Sequence, residues 1–258
     1  MGRHPPQRGP YLIDAQLLRD RIPSPDEYPF SLPAVRHLSR LAFHPKVTFF
    51  VGENGSGKST LIEALAIGCG LNPEGGSRDY GFETRASHSR LENFLRLARI
   101  GVPPDSYFLR AESFYTLATE VDRIGATRSH GGISLHAQSH GESFFSLFEK
   151  RFGFRGSGKT SVPGLYFLDE PEAALSPNRL LQFLGLLHEY CNEGSQFVIA
   201  THSPILMTFP ESCLYVLNES GIHETPYAET EHFRVTKSFL NHPRLALKTL
   251  LGGEFDSE

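Results

Sequence analysis

The chain has 258 residues, a formal net charge of −4, and 39% hydrophobic against 21% charged residues. That composition builds a packed core of one α/β-sized domain or two small ones, and it excludes a disordered chain or a coiled-coil rod. With 24 Gly and 18 Pro it is not collagenous or low-complexity, and Cys69, Cys191 and Cys213 form no C-x-x-C pair, so neither a disulfide scaffold nor a structural zinc is expected.

In chain order, an apolar run at 47–51 predicts a buried strand, and helical periodicity follows at 59–67 and again at 89–100. A strand is expected at 107–110, a helix at 142–152 and a four-residue apolar strand, LYFL, at 165–168. The helix at 177–190 carries its own start signal, because Ser176 can cap free amides and Pro177 suits the first helical position. Strands at 196–200 and 214–217 and a helix at 230–240 complete the series. Such alternation predicts an α/β fold with a mainly parallel sheet core. The stretch 73–158, richer in Arg, Ser and Gly, reads as an inserted helical lobe, leaving 1–72 and 159–258 as the core of a single domain.

No apolar run approaches the roughly 18 residues of a membrane span. The start MGRHPPQRGP lacks the hydrophobic stretch of a secretory signal, so a cytoplasmic protein without membrane insertion is expected. Arg78, Arg85, Arg90, Arg96, Arg99 and Arg110 are interleaved with Asp79, Glu83, Glu92, Asp105 and Glu112, the pattern of a mixed solvated surface rather than a basic stripe.

Gly52, Glu53, Asn54, Gly55, Ser56, Gly57, Lys58 and Ser59 match G-x-x-x-x-G-K-[ST], after an expected strand and before an expected helix that Thr60 continues. Glycines let such a loop curl so that backbone N–H groups point at phosphate oxygens, and the helix start adds its positive dipole end. Lys58 is then expected to reach the β and γ phosphates, and the Ser59 hydroxyl to ligate Mg²⁺. The same pattern recurs from Gly153 to Thr160, but there it follows a helical segment and Pro163-Gly164 comes soon after, so a surface loop is expected.

The strand at 165–168 ends in Asp169-Glu170, which delivers two carboxylates to the ligand-binding edge of the sheet. Asp169 is the expected Mg²⁺ partner and Glu170 the general base for an attacking water. His202, just past the strand at 196–200, is placed to hydrogen-bond a γ-phosphate oxygen and orient that water. His136 and His140 lack a helix pattern and a third acidic ligand, and no metal site is read there.

These pieces, in this order, resemble the ABC class of P-loop ATPases: GENGSGKST, then QSHGES at 138–143, then LYFLDEPEAALSP, then ATHSP. The resemblance implies that Ser139, His140, Gly141 and Glu142 stand at the signature loop, where Ser139, Gly141 and Glu142 complete the phosphate site of a second subunit. It thereby implies ATP-driven homodimerisation. His140 replaces a glycine of that pattern, and Leu175-Ser176 falls where the class has Leu-Asp. The class also has a glutamine lever between its lobes, for which Glu112 or Arg110 is the candidate here, and an adenine-stacking aromatic, for which Tyr28 and Phe30 qualify. DEPEAALSP with SHGES looks like the soluble stand-alone branch related to OLD, RecF and SMC-type heads. That branch implies work on DNA or a DNA-processing partner, in repair, maintenance or phage defence. An ATP-gated binding module and a transporter's nucleotide-binding subunit are the alternatives.

Overall fold

The computed structural model describes residues 8–73, 75–77, 89–110 and 162–252. Two sheets share them. A three-stranded antiparallel sheet is built from β1 (Leu12–Leu17), β2 (Arg40–Ala42) and β5 (Leu95–Arg99), in the order β2-β1-β5. The larger sheet adds β3 (Val47–Val51), β4 (Gly76–Ser77), β6 (Asp105–Arg110), β7 (Gly164–Asp169), β8 (Gln196–Ala200), β9 (Ser212–Asn218) and β10 (Gly221–Glu224). Its order is β10-β9-β3-β8-β7-β6-β4, with the five strands β9 to β6 parallel and the two edges antiparallel.

Every residue of β3, β7 and β8 is buried. Such strands read as continuous apolar runs because helices or a second sheet cover both faces. One face packs on α2 (Lys58–Gly68), where Leu61, Ile62 and Leu65 join Phe50, Phe167 and Val198 and the inner residues of the small sheet. The other packs on α3 (Pro177–Asn192) through Phe183, Leu187 and Tyr190. Gln196 ties the two sheets together. Its buried carboxamide accepts from the N–H groups of Tyr11 and Leu12, both at 2.8 Å, and donates to the carbonyls of Leu12 and His44 at 2.7 and 3.0 Å. A fully satisfied buried amide of this kind specifies register instead of costing desolvation.

Strands fall where the apolar runs place them, extended by one or two residues at 107–110, 165–168 and 214–217. The helix capped by Ser176 begins at Pro177, and Ser176 Oγ accepts from the Arg179 N–H. The helix expected at 89–100 is absent: Leu91–Phe94 is a 3-10 turn and Leu95–Arg99 is the strand β5. Leu91, Phe94 and Leu95 fit a helical stripe, but Leu95 and Leu97 equally fit alternation, and antiparallel pairing with β1 decides between them. Within the stretch read by sequence as an inserted lobe, Leu95–Arg99 pairs in the small sheet, and Gly76–Ser77 and Asp105–Arg110 pair in the large one. The helix expected at 142–152 and the second phosphate-loop match, Gly153 to Thr160, lie outside the described residues.

Past β10 the chain forms α4 (Glu231–Asn241) and α5 (Pro243–Leu251), neither with a buried residue. Buried Thr230 caps α4, its hydroxyl accepting from the Phe233 N–H. A short helix, α1 (Pro33–Arg36), sits beside α2 and the β9–β10 edge. Among the described residues no helix is long and apolar enough to cross a membrane.

Candidate phosphate-binding site

Between β3 and α2 the chain turns through Gly52, Gly55 and Gly57, all at positive φ. At Gly52 the reason is steric: a Cβ would lie 2.2 Å from the Leu217 carbonyl oxygen of β9, so only hydrogen fits. Gly57, at φ 98°, occupies the N-cap position of α2, which therefore has no side-chain cap. The first amides of an eleven-residue helix are thus left without a protein side chain, the arrangement that receives an anion. Glu53, Asn54 and Gly55 are exposed at the tip of the loop, and the buried Ser56 hydroxyl has no hydrogen-bond partner among the described residues. Gly52→Ala should lower the urea unfolding midpoint, with an overpacking cost of about 1–3 kcal/mol. An unchanged midpoint would show that β9 yields to the methyl group.

Lys58 is buried, and its ammonium donates to the carbonyls of Gly52 at 2.7 Å and Glu53 at 3.1 Å. Burial lowers its pKa, against the opposing pull of Glu170, Asp169, Glu172 and Glu53. The next residue, Ser59, donates its hydroxyl to Asp169 Oδ1 at 3.1 Å. A hydroxyl and a carboxylate from two elements thus meet beside a buried ammonium. This oxygen pair is the donor set of a hard cation whose remaining ligands come from phosphate and water.

Burial raises the Asp169 pKa to about 6, the largest influence, although Arg110 and the Ser59 hydrogen bond pull it down. A raised carboxyl pKa means that the folded chain holds the proton more tightly than the unfolded one. Stability from this group is therefore complete below its ordinary 3.8 and lost as pH rises through about 6. Asp169→Asn should raise the melting temperature of the nucleotide-free protein at pH 8, and the gain should shrink below pH 6. Equal gains at both pH values would contradict the buried-charge assignment.

Glu170 follows at φ 52°, ψ 53°, a left-handed conformation that a non-glycine residue rarely adopts, and its N–H donates to the Ala200 carbonyl at 2.9 Å. The turn carries its carboxylate Oε1 to 3.4 Å from His202 Nε2. The His202 N–H is held by Glu172 Oε1 at 2.5 Å. Both side chains remain partly open to solvent, Glu170 at 39% and His202 at 31%.

Lys58, Ser59, Asp169, Glu170 and His202 therefore stand on one carboxyl edge of the sheet, as the spacing of their motifs requires. Ser139, Gly141, Glu142 and Glu112 lie outside the described residues. Arg110, at the end of β6, is paired with the buried Glu63 of α2 at 2.6 Å, and its Nε stands 3.8 Å from Asp169 Oδ2. It is thereby tied to the carboxylate edge of the site. Of the two adenine-stacking candidates, Phe30 is in the core, edge-on to Phe94 with centroids 4.8 Å apart, and that packing leaves it no free face. Tyr28 is 63% exposed, with its hydroxyl 3.4 Å from the Thr60 hydroxyl.

Sequence reasoning missed Glu172, although it lies within the same DEPEAA run, and it missed the Glu63–Arg110 pair and His232. His232 Nε2 lies 3.4 Å from His202 Nδ1, yet nothing in the run TEHFRV marks it.

Two family models match parts of the chain: "AAA domain" over residues 31–101 and "AAA domain, putative AbiEii toxin, Type IV TA system" over residues 154–208. The ABC transporter G family member 2 of Dictyostelium discoideum is 26% identical over 195 residues, covering 69% of this chain and 14% of that protein. The energy-coupling factor transporter ATP-binding protein EcfA2 of Methanospirillum hungatei is 24% identical over 207 residues, covering 75% of this chain and 51% of that protein. The chain thus spans from a seventh to about half of these two relatives. Among solved structures, an SMC head domain from Thermotoga maritima aligns with a TM-score of 0.45 and 17% identity, over 84% of this chain and 98% of that one. Phosphate loop, carboxylate strand and mainly parallel sheet together make an α/β core of the P-loop NTPase kind, and the two AAA-domain models each match a part of it.

Proposed function

We propose that this chain binds ATP with Mg²⁺, hydrolyses it, and closes into a homodimer around the nucleotide. One observation carries the reading: the Ser59 hydroxyl, the Asp169 carboxylate and the Lys58 ammonium converge at the uncapped start of α2, a site built for phosphate and a hard cation. The Ser56 hydroxyl, unpartnered among the described residues, and the Gly52 cradle fit the same ligand.

In this reading the loop amides and Lys58 take the β and γ phosphates, and Tyr28 lies under the adenine. Ser59 and Asp169 hold the Mg²⁺, which supplies charge neutralisation between the phosphates when bound. Arg110, through Glu63 and its approach to Asp169, opposes the effect of burial on that carboxylate and holds it in place. Glu170 accepts the proton of the attacking water, and its left-handed backbone fixes the carboxylate beside His202. His202 donates to a γ-phosphate oxygen and bears on the same water.

The partial exposure of Glu170 and His202 supports dimerisation, because such a site shields the water only when a second surface covers it. Ser139, Gly141 and Glu142 of a second copy are the proposed cover. The work is proposed to be done on DNA or a DNA-processing partner, in maintenance, repair or phage defence, within the cytoplasm. The printed names of the relatives favour a second reading, the nucleotide-binding subunit of a transporter. Phosphate release with and without Mg²⁺, repeated with duplex DNA, tests the first reading. Mg²⁺-dependent release stimulated by DNA supports it, no release refutes the ATPase, and copurification with a membrane subunit transfers the activity to the second.

A further inference from the structure

The catalytic edge has a third layer that the motifs do not name. His202 Nδ1 is hydrogen-bonded to His232 Nε2 at 3.4 Å, with the two imidazole centroids 5.6 Å apart, whereas the buried Nε2 lies 3.4 Å from Glu170 Oε1 with no hydrogen-bond partner among the described residues. His232 lies in the first turn of α4, anchored by the buried Thr230 cap and by Phe233, whose ring stands 4.6 Å from Tyr227. Beyond that turn the helix is largely exposed, so its ordered approach to the core is concentrated on the residues beside the phosphate loop. Lys58 and Glu53 of that loop are close enough to act electrostatically on His232.

Hydrogen-bond logic fixes the direction of the contact. A neutral imidazole has one donor and one acceptor nitrogen. If His202 carried its proton on Nδ1, its bare Nε2 lone pair would face the Glu170 carboxylate and would have nothing to donate to a phosphate oxygen. With the proton on Nε2, the Nδ1 lone pair needs a donor, and His232 Nε2 is the group that faces it. We propose that His232 is a positioning residue that donates to His202 Nδ1 and thereby holds His202 in the Nε2-protonated tautomer, leaving its Nε2–H, which has no hydrogen-bond partner among the described residues, for the γ-phosphate. Burial holds the His232 pKa below the ordinary histidine value, which keeps it neutral with a single N–H to give. The inference rests on the ATPase reading for its kinetic consequence, whereas the tautomer is a property of the nucleotide-free protein.

The test therefore has two arms, both at pH 8. Long-range proton–nitrogen spectra of the ¹⁵N-histidine-labelled chain, without nucleotide, should show His202 protonated on Nε2, and in His232→Phe a mixture of tautomers. A wild-type His202 protonated on Nδ1 or on both nitrogens, or a tautomer unmoved by the substitution, overturns the proposal. In the second arm, His232→Phe should lower kcat for ATP about tenfold with KM within about twofold, while His232→Gln, which keeps a donor near the same place, should recover most of the loss. Unchanged kcat in His232→Phe, a change confined to KM, or failure of the glutamine in a variant that melts like the wild type overturns it. If the wild-type chain itself releases no phosphate, the ATPase reading falls, and the tautomer arm still decides the role of His232.

Discussion

Lys58→Ala should weaken ATP binding by about 10- to 10²-fold, since hydrogen bonds to a charged group contribute about 1.5–3 kcal/mol and each 1.4 kcal/mol is tenfold. The ammonium is buried and already held on the carbonyls of Gly52 and Glu53, so it is presented to a ligand at little further entropic cost. Fluorescent-nucleotide titration measures the change, and a thermal melt of the same variant separates lost binding from a loosened loop. An unchanged affinity would place the nucleotide elsewhere. Lys159→Ala is the matched control, because by sequence the second phosphate-loop match follows a helical run and leads into Pro163-Gly164, and it should leave affinity within about twofold.

Glu170→Gln should leave ATP binding intact and lower the rate of hydrolysis by about 10² to 10⁴-fold, the usual contribution of a positioned general base. Glutamine keeps the shape of the side chain beside His202 Nε2 but cannot accept the water's proton. With the chemical step slowed and the γ-phosphate retained, the closed dimer should accumulate. Size-exclusion chromatography in Mg²⁺ and ATP reads this directly as a shift to the mass of two chains. A variant that stays monomeric with ATP bound would argue against closure, and one that hydrolyses at the wild-type rate would remove Glu170 from the chemistry.

The parallel core was legible because its strands are buried on both faces, so VTFF, LYFL and FVIA appear as β-branched, aromatic and aliphatic runs that no solvent face interrupts. The phosphate loop was legible for a different reason: its chemistry needs glycine at positions fixed by backbone geometry, and the 2.2 Å contact at Gly52 shows what that need is. The small antiparallel sheet was not. In β1 the apolar pattern is broken by Asp14 and Gln16, whose polar groups are accounted for by Arg40 and Arg96 on neighbouring strands, and no local signal announces those partners. The strand β5 likewise owes its state to pairing with a segment about eighty residues away. At the site, Asp169, Glu170 and His202 could be found because each closes an apolar strand. His232 could not, because it reaches the site from a helix start thirty residues beyond His202, and only the fold brings it there.

A crystal structure of the Glu170→Gln chain with ATP and Mn²⁺, with the metal located by its anomalous signal, tests the central claim most directly. The account predicts one metal peak bonded to Ser59 Oγ, with the triphosphate wrapped by residues 52–59 and its terminal group facing Asp169, residue 170 and His202. A triphosphate held at residues 153–160, or a metal remote from Ser59 and Asp169, would contradict it.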